Sequence, residues 1–421
     1  MKDLGAKLLR TLGHQASTKP SVNAGSDAQA STLAERLQAM SRHGGEGLTL
    51  EALPGAREVP TPFGSCFTVS TLFPHETHHG SLTLGAALNG VTNHLVRLVG
   101  DDRLEGFDPR RALYLDIEAT GLDHGAGTCA FLVGLGFFDA GAFRVDQLFL
   151  RTFEEEMALL HLLKERIDAF PYLVSFNGKS YDLTVLQTRL VIQRVYSRDE
   201  CELKLHPHLD LLHLSRNLYK GAWDNTRLQT LEAQLLGFAR QDDIPGSLVP
   251  SMWYHFLRTG EIAPVEAVLQ HNLWDVLSMV TLTTAVTRDG LPHRNTSDAA
   301  LVNVSNLLLR RGHPAAAIEA LETRDRARLE APLQRRALWI HAEAARRLAR
   351  WELHIAMLEE LVKNAPSDVE GWIALAKAQE HRLKDLDAAY DSALKAWEIS
   401  REPAIEKRLR RLERKLSQYA Q

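Results

Sequence analysis

Four carboxylates in three separated motifs are the side chains of this sequence with the clearest chemical potential. They lie in LYLDIEATGL, SFNGKSYDLTVL and HNLWDVLSM, and they are Asp116, Glu118, Asp182 and Asp275. Acidic side chains that are distant in sequence and converge in a fold can hold the two divalent cations of a phosphodiester-cleaving site. The leading hypothesis from the residues is therefore a metal-dependent nuclease.

Asp116 and Glu118 stand two positions apart in an apolar run that is typical of a buried strand. Alternate residues of a strand face the same side, so both carboxylates should project together. Two such groups repel each other unless a cation lies between them. Alternatively, Asp116 only ends the strand and caps a turn at Thr120 and Gly121, but this interpretation explains Glu118 poorly.

Asp182 lies between a predicted strand, YLVSFNG, and a predicted helix, SYDLTVLQTRLVIQRV. An acid in the first turn of a helix is common and needs no catalytic role. In the same loop, Asn177 could support the site or contact substrate, and Lys179 could bind a phosphate. Both could equally be ordinary loop residues.

His271 and Asp275 are four residues apart in a predicted helix, so they share one face. A histidine beside a metal-binding carboxylate suits a general base that deprotonates the attacking water. The alternative is a surface histidine with an adjacent acid, which is frequent. The flanking residues favour a packed helix instead, and they are Val268, Leu269, Val276 and Met279.

The elements around these motifs predict a mixed α/β sheet covered by helices. Three strands come first, ALYLDIEATG, CAFLVGLGFFD and FRVDQLFLR, and a hairpin at residues 139–141 joins the last two. Helices and strands then alternate: EEEMALLHLLKERIDAF, YLVSFNG, SYDLTVLQTRLVIQRV and LHPHLDLLHLSRNL, which starts as a strand. Two further helices are predicted to end at Gly237 and Gly290.

Upstream of this pattern, residues 14–31 are small and polar, which predicts a disordered linker before a short helix at 32–42. Residues 1–50 are thus expected to be mostly disordered. Residues 56–100 read as strands broken by turns, as in FTVSTLF and SLTLG. We expect 51–108 to be an extension packed on a nuclease domain at 109–290.

Residues 299–421 are helical in pattern, with turns near Gly312, Ala349 and Lys384. The spacings of 37 and 35 residues approach the ~34 of a tetratricopeptide (TPR) unit. The best unit is GWIALAKAQEHRLKDLDAAYDSALKAWEIS, whose small residues would let two helices pack closely. An all-α, TPR-like repeat domain is predicted, with a generic helical bundle as the alternative.

Bulk composition is that of an ordinary soluble globular protein, with 45% hydrophobic and 24% charged residues and a net charge of -4. Residues 301–421 carry 22 Lys and Arg against 18 Asp and Glu, so the rest of the chain is acidic and any nucleic-acid groove must be a local basic stripe. Three scattered cysteines fit neither a disulfide framework nor a zinc ribbon. The first residues, MKDLGAKLLRTLGHQ, have no apolar core of signal-peptide length, and no run of about 18 apolar residues occurs. The expected compartment is therefore the cytoplasm, with no membrane partner.

The ordered combination of D-x-E on a strand, an Asn…Asp loop before a helix and H-x-x-x-D on a late helix is more specific than any one motif. It resembles the DEDD (DnaQ-like) 3′–5′ exonuclease superfamily, whose fold is ribonuclease H-like. More narrowly, the segment RQDDIPG followed by HNLWDVLSM is similar to a bacterial family of ribonuclease H-like exonucleases that often carry C-terminal TPR repeats. The superfamily resemblance covers about residues 110–288.

The resemblance implies that the four carboxylates coordinate two Mg²⁺ or Mn²⁺ ions and that His271 takes the place of the water-orienting residue. It also implies cleavage from a 3′ end of single-stranded DNA or RNA, with release of nucleoside monophosphates. Expected substrate contacts in the matching motifs are Thr120, Gly121, Asn177, Lys179 and Tyr181. One departure is that His271 stands four residues before Asp275, a spacing that superfamily members use for tyrosine, so it could act as base or only orient water.

Weaker candidates have ordinary structural alternatives. Asp210 could support the site or simply end a strand, and Lys220, Trp223 and Arg227 could bind a phosphate and stack a base or form a surface loop. Histidines 75, 78 and 79 are interpreted as a loop that borders the site, and the basic segment KRLRRLERKLSQ as a solvated last helix.

Two other functions remain in competition. One is a scaffold that binds nucleic acid without cutting it and uses the helical repeats for a protein partner. The other is a structure-selective endonuclease with the same metal chemistry. All four carboxylates are present, which favours an enzyme.

Overall fold

The computed structural model describes residues 49–121, 125–194, 196–292 and 296–419. The predicted linker at 14–31 and the predicted helix at 32–42 lie outside the described residues.

A mixed seven-stranded sheet with the order β1-β2-β7-β6-β5-β8-β9 forms the centre of the amino-terminal part. Its strands are β1 (Ala56–Thr61), β2 (Gly64–Pro74), β5 (Ala112–Ala119), β6 (Ala130–Asp139), β7 (Ala142–Phe149), β8 (Tyr172–Ser175) and β9 (His208–Asp210). The five strands from β1 to β5 in this order pair antiparallel, and β5-β8 and β8-β9 pair parallel. Two short strands, β3 (His78–His79) and β4 (Leu82–Thr83), pair separately. The predicted mixed sheet is confirmed.

The hairpin between β6 and β7 turns at Ala140 and Gly141, which have φ values of 42° and 90°. Positive φ at both positions matches the right-handed twist of paired strands, which explains the tight connection. The predicted hairpin is therefore present.

The helices that surround the sheet are α1 (Leu95–Val99), α2 (Glu156–Ala169), α3 (Asp182–Gln193), α4 (Leu211–Leu218), α5 (Leu228–Leu231), α6 (Val249–Thr259) and α7 (Ala263–Gly290). A π-helical turn, Glu232–Leu236, extends α5 and ends at Gly237, whose φ is 60°. The carboxy-terminal helices are α8 (Asp298–Arg310), α9 (Pro314–Glu322), α10 (Ala331–Arg347), α11 (Trp351–Asn364), α12 (Val369–Ala378), α13 (Leu386–Ile399) and α14 (Pro403–Tyr419).

Helix α7 packs across β5 and β6 because two glycines of β6 leave room for it. A Cβ on Gly134 would lie 2.4 Å from Asn272 Oδ1, and one on Gly136 would lie 2.5 Å from Val276 Cγ1. The helix can come this close only because neither glycine has a side chain. It brings the amino-terminal half of α7 over the strand that carries Asp116 and Glu118.

Helix α7 ends at Gly290, as predicted, and a Cβ there would meet Leu98 Cδ1 at 2.6 Å. Two other local features differ from the prediction. Residues 84–89 form a 3₁₀-helix and residues 95–99 form α1 where strands were predicted, and Leu95 and Leu98 are buried one helical turn apart. Helix α6 was not predicted, although it starts with a proline in its first turn and ends at Gly260 with φ 73°.

Residues 298–419 are all-helical, as predicted, among the described positions. The three predicted turn residues Gly312, Ala349 and Lys384 have φ values of 86°, 56° and 61° and separate successive helices. The TPR-like character of these helices stays a prediction. No helix in the described part of the chain is long and apolar enough to cross a bilayer.

Candidate active site

Asp116 and Glu118 project from the same face of β5, where both are only partly exposed while their neighbours Leu115, Ile117 and Ala119 are buried. The opposite strand supplies Gly134 across from Asp116. The alternation of the strand thus places both carboxylates under α7, as the two-residue spacing predicts.

Asp116 is held by a chain of amide hydrogen bonds. Asn272 Nδ2 donates to Asp116 Oδ2 at 2.8 Å, and Gln147 Nε2 donates to Asn272 Oδ1 at 2.9 Å and to the Leu269 carbonyl at 2.7 Å. Gln147 and Asn272 are both buried, so this chain fixes the orientation of Asp116 with no freedom to turn toward solvent.

Asp182 is the first residue of α3 and is 6% exposed. Its Oδ2 is buried and has no hydrogen-bond partner among the described residues. A buried acceptor without a partner is costly unless another group, such as a cation, satisfies it.

His271 points between two of the predicted metal ligands. Its Nδ1 lies 2.6 Å from Asp243 Oδ1, and its Nε2 lies 3.8 Å from Glu118 Oε1 and 3.6 Å from Asp275 Oδ2. Ligand atoms of Glu118, His271 and Asp275 all lie within 4.8 Å of one another. Three ligand atoms this close together could bind one metal ion at the same time.

Arg240 lies at the centre of a buried ion-pair network beside these groups, with a side chain 4% exposed. Its guanidinium donates to Glu232 Oε1 at 2.5 Å, to Asp243 Oδ2 at 3.2 Å and to Asp275 Oδ1. Ser278 Oγ also donates to Glu232 at 2.5 Å and contacts His79 Nε2 at 2.7 Å. A planar guanidinium offers five N–H donors on three nitrogens in a fixed geometry, so it can bridge several carboxylates, whereas the three donors of an ammonium lie on one nitrogen.

Burial raises the pKa of Asp116 well above its usual range, and the charges of Asp275 and Asp182 raise it further. Burial likewise raises the pKa of Glu118, with further contributions from Asp116 and Asp275. The pKa of Asp182 is raised by burial and then by Asp210 and Asp275. These carboxylates therefore act on one another across a desolvated space, which is the condition that bound cations relieve.

For His271, burial lowers the pKa, but the hydrogen bond to Asp243 and the charge of Asp275 outweigh it, so the pKa is raised overall. For Asp243, burial raises the pKa, whereas the bond to His271 and the charge of Arg240 lower it below its ordinary value. The two groups thus form a tightly held pair.

Residues 113–287 match a family model described as the RNase_H superfamily. This segment is a ribonuclease H-like domain. Over 179 residues the chain is 35% identical to the uncharacterized protein YprB of Bacillus subtilis (strain 168), a match that covers 42% of each chain. The chain thus spans less than half the length of this relative.

A solved structure of the family B DNA polymerase from the archaeon Pyrobaculum calidifontis is similar to 49% of this chain and 29% of its own length. The identity is 16% and the TM-score 0.36.

The ribonuclease H-like domain brings together the five residues that were predicted as catalytic. They come from β5, the start of α3 and the middle of α7, and they are Asp116, Glu118, Asp182, His271 and Asp275. Carboxylate oxygens suit Mg²⁺ and Mn²⁺, and the buried Oδ2 of Asp182, which has no hydrogen-bond partner among the described residues, is suited to bind such an ion. The donor set of this domain therefore fits divalent metal ions.

The predicted substrate contacts have mainly backbone roles in this structure. Thr120 Oγ1 accepts from the Cys129 amide at 3.0 Å, and Tyr181 donates its hydroxyl hydrogen to the Gly121 carbonyl. Asn177 adopts φ 71°, and its amide and that of Lys179 donate to Asp210 at 3.0 and 3.1 Å.

Lys179 Nζ lies 3.8 Å from Asp101 Oδ2, and burial lowers the pKa of this lysine.

Asp210 has both of the roles considered for it, since it ends β9 and also supports the loop before Asp182. It also accepts from the Leu212 amide at 3.1 Å, so its carboxylate caps α4 as well as the loop before Asp182. Its charge still contributes to raising the pKa of Asp182. Asp210 thus shapes the site through the backbone rather than by facing substrate.

The other weak candidates differ in their exposure. Lys220 and Arg227 are exposed, and Trp223 packs against Tyr219 with ring centroids 5.3 Å apart. Of the three predicted loop histidines, His78 is exposed, His75 packs edge-on against Phe138, and His79 is buried against Ser278.

The last helix, α14, is not simply solvated. Arg408 Nη1, Arg411 Nη2 and Lys415 Nζ lie 3.0, 2.5 and 2.8 Å from carboxylate oxygens of the buried Glu380. The basic segment therefore holds its own helix against the π-helical turn Gln379–Leu383 that follows α12, and only its outer face meets solvent.

Five residues that position the site were not predicted from the sequence, and they are Gln147, Glu232, Arg240, Asp243 and Asn272. Arg240 and Asp243 were quoted only as part of RQDDIPG, and Asn272 only as part of HNLWDVLSM. The segment RQDDIPG held a usable signal, since an arginine and an acid three residues apart in a loop can pair. Gln147 and Asn272 carried none, because amides in an apolar strand and helix have no pattern that reveals their partners.

Proposed function

We propose that the chain is a metal-dependent nuclease that hydrolyses phosphodiester bonds from the 3′ end of single-stranded nucleic acid. The single observation that carries the proposal is the convergence of four carboxylates from β5, α3 and α7 in one desolvated space. A ribonuclease H-like fold is commonly a nuclease fold, which supports the reaction class. The 3′ to 5′ direction is what the resemblance to the DEDD exonuclease superfamily implies.

In this proposal the chain supplies a rigid acidic cradle. Asp116, Glu118, Asp182 and Asp275 would hold two Mg²⁺ or Mn²⁺ ions. When bound, such ions activate water and stabilise the leaving oxygen. Asn272 donates to one oxygen of Asp116, so the other oxygen is left to bind metal. Arg240 likewise donates to one oxygen of Asp275 and leaves the other to bind metal.

Substrate would approach across a cleft of about 600 Å³ next to the loop that precedes Asp182. Its lining includes Phe176, Asn177, Arg216 and Arg227. Two exposed arginines suit phosphates, and an aromatic ring suits a base. Lys179 was expected to bind a phosphate, but its ammonium lies close to the Asp101 carboxylate. We therefore propose that these two arginines share the phosphate-binding role with Lys179.

The decisive experiment follows 3′-labelled and 5′-labelled single-stranded DNA and RNA with Mn²⁺, Mg²⁺ or EDTA. Wild type should lose the 3′ label first, only with metal, and Asp116→Asn and Asp182→Asn should abolish this loss. Asp139→Asn is the matched control, because that carboxylate is 46% exposed at the β6–β7 turn. Metal-independent cleavage, or cleavage retained by both site variants, would reject the proposal.

Circular single strands separate an exonuclease from an endonuclease, because an exonuclease needs an end. Wild type should leave circles intact and degrade them after one nick. Cutting of intact circles would move the proposal to a structure-selective endonuclease. Binding of circular and linear strands without any cleavage would favour the scaffold.

The TPR-like helices are proposed to bind a protein partner. A groove of about 310 Å³ is lined by Trp339, Trp351, Arg346, Lys377 and Arg382. Arg382 lies 3.8 Å from the centre of the Trp351 ring, a cation-π contact that holds the guanidinium at the groove. An acidic, partly aromatic peptide fits this lining, and loss of its binding in Lys377→Glu would support the assignment.

The proposed domain boundaries, 51–108, 109–290 and 299–421, and the cytoplasmic location remain predictions.

A further inference from the structure

The hydrogen bond made by His271 Nδ1 determines whether the other ring nitrogen, Nε2, carries a proton or a free lone pair. Nδ1 lies 2.6 Å from Asp243 Oδ1, so Nδ1–H donates to that carboxylate and Nε2 is directed away from it. Nε2 then faces Glu118 Oε1 at 3.8 Å and Asp275 Oδ2 at 3.6 Å. Both distances exceed a hydrogen bond, so Nε2 is aimed at the space between the two oxygens rather than at either one.

This arrangement has the features of a histidine metal ligand. Histidines that bind metals almost always donate the other ring N–H to a carboxylate, a backbone carbonyl or a water, which holds the ring in place. Asp243 has that position, and Arg240 in turn holds Asp243 at 3.2 Å. The three ligand atoms within 4.8 Å of one another give the histidine two oxygen co-ligands.

The orientation of Asp275 leaves one of its oxygens available beside His271. Arg240 already binds Asp275 Oδ1, which leaves Oδ2 on the side of His271. Asp182 Oδ2, which is buried without a partner among the described residues, belongs instead to the oxygen-only position with Asp116.

The geometry points to a mixed nitrogen and oxygen metal site formed by His271 Nε2, Glu118 Oε1 and Asp275 Oδ2, selective for Mn²⁺ over Mg²⁺. It rests on the proposed nuclease function for its setting. Imidazole nitrogen suits transition metals, whereas Mg²⁺ is bound through oxygens and keeps several waters. Asp116 and Asp182 offer only oxygens, so the two positions of the site differ in metal preference.

The test is direct metal binding by the full chain, freed of metal and titrated with Mn²⁺ or Mg²⁺ in a calorimeter. Wild type should bind Mn²⁺ at least about tenfold more tightly than Mg²⁺. His271→Ala should weaken Mn²⁺ binding about tenfold or more and Mg²⁺ binding much less. Asp243→Asn should weaken Mn²⁺ binding in the same direction, although Asp243 touches no metal in this assignment.

Pulsed electron paramagnetic resonance of the Mn²⁺ complex gives a readout independent of activity. Wild type should show nitrogen modulation from a directly bound imidazole, and His271→Ala should lose it. His354→Gln is the matched control, since His354 and His271 are equally buried, both 8% exposed, and His354 lies in the helical region. This control variant should keep the signal.

The results separate this inference from the nuclease proposal. Bound Mn²⁺ without nitrogen modulation, or equal loss of Mn²⁺ and Mg²⁺ affinity in His271→Ala, overturns the histidine ligand even if the chain cuts nucleic acid. Nitrogen modulation in a chain that cuts nothing supports the metal site and rejects the nuclease. Failure to bind Mn²⁺ at all overturns both.

Discussion

Asn272 Nδ2 donates a hydrogen bond to Asp116 Oδ2 across 2.8 Å, and this bond ties the long helix α7 to the central strand β5. Gln147 on β7 completes the link by donating to Asn272. Residues of β5, β7 and α7 thus together hold the orientation of the Asp116 carboxylate. The hydrogen-bonded amides make the site rigid before any metal or substrate binds.

Asn272→Ala should reduce metal-dependent nuclease activity about 10- to 100-fold, because Asp116 loses the donor that orients it. Stability should fall by about 1–3 kcal/mol, since Gln147 loses an acceptor in a buried place. Asn303→Ala is the control, because Asn303 is also buried and donates to the Leu218 and Lys220 carbonyls at 3.0 Å. It should lose similar stability and keep its activity per folded molecule. Equal activity losses in both variants would contradict the positioning role.

Removing one charge from the acidic cluster should stabilise the metal-free chain. Asp116→Asn should raise the melting temperature in EDTA by a few degrees, because Asp275 and Asp182 repel the wild-type carboxylate. The same variant should gain less than wild type when Mn²⁺ is added. Thermal unfolding with and without Mn²⁺ measures both effects.

The matched control for that experiment is Asp146→Asn. Asp146 is also buried on the sheet, but it lies 3.0 Å from Arg144 and 3.5 Å from Arg57. Its neutralisation should lower the melting temperature in EDTA and leave the Mn²⁺ response unchanged. A drop for Asp116→Asn of the same size as for Asp146→Asn would mean that the cluster is not repulsive.

Arg240→Met should cost about 3–5 kcal/mol, because Glu232 is 1% exposed and would keep a buried charge without its guanidinium. Arg240→Lys should recover part of the stability but not the activity, since the donors of an ammonium all lie on one nitrogen, whereas Nε, Nη1 and Nη2 of Arg240 share the contacts to Glu232, Asp243 and Asp275. Chemical unfolding and Mn²⁺-dependent cleavage measure the two effects. Arg346→Met, at a pair whose arginine is 51% exposed, should change stability by only about 0–1 kcal/mol.

His79 should make the stability of the chain fall in mild acid. Burial lowers its pKa from 6.5 to about 4, with a further contribution from Arg240. The unfolded chain therefore binds this proton first, so the contribution of neutral His79 is complete above pH 6.5 and is lost as the pH falls toward 4.

His79→Gln keeps a hydrogen-bonding side chain near Ser278 without titrating. The stability of wild type relative to this variant should fall by about 1–3 kcal/mol between pH 7.5 and pH 4.5, as followed by chemical unfolding at each pH. A difference that stays constant over this range would show that His79 is not held neutral by its surroundings.

Much of the fold could be predicted from local patterns. The alternation of LYLDIEATGL places Asp116 and Glu118 on one face of β5, and the helical spacing of His271 and Asp275 places both on one face of α7. The β6–β7 hairpin follows from its turn residues. Residues 84–99 were mispredicted, because a short apolar segment supports a strand or a helix until its neighbours are known.

The sequence by itself determined which carboxylates are available and on which faces of their elements they stand, because those properties depend on the periodicity of strands and helices. Only the tertiary structure decided how the carboxylates are held. Asp243 reaches His271 from 28 residues away and Gln147 reaches Asn272 from 125 residues away. Such hydrogen bonds depend on packing distances that Gly134 and Gly136 permit between α7 and the sheet, and no local pattern encodes those distances.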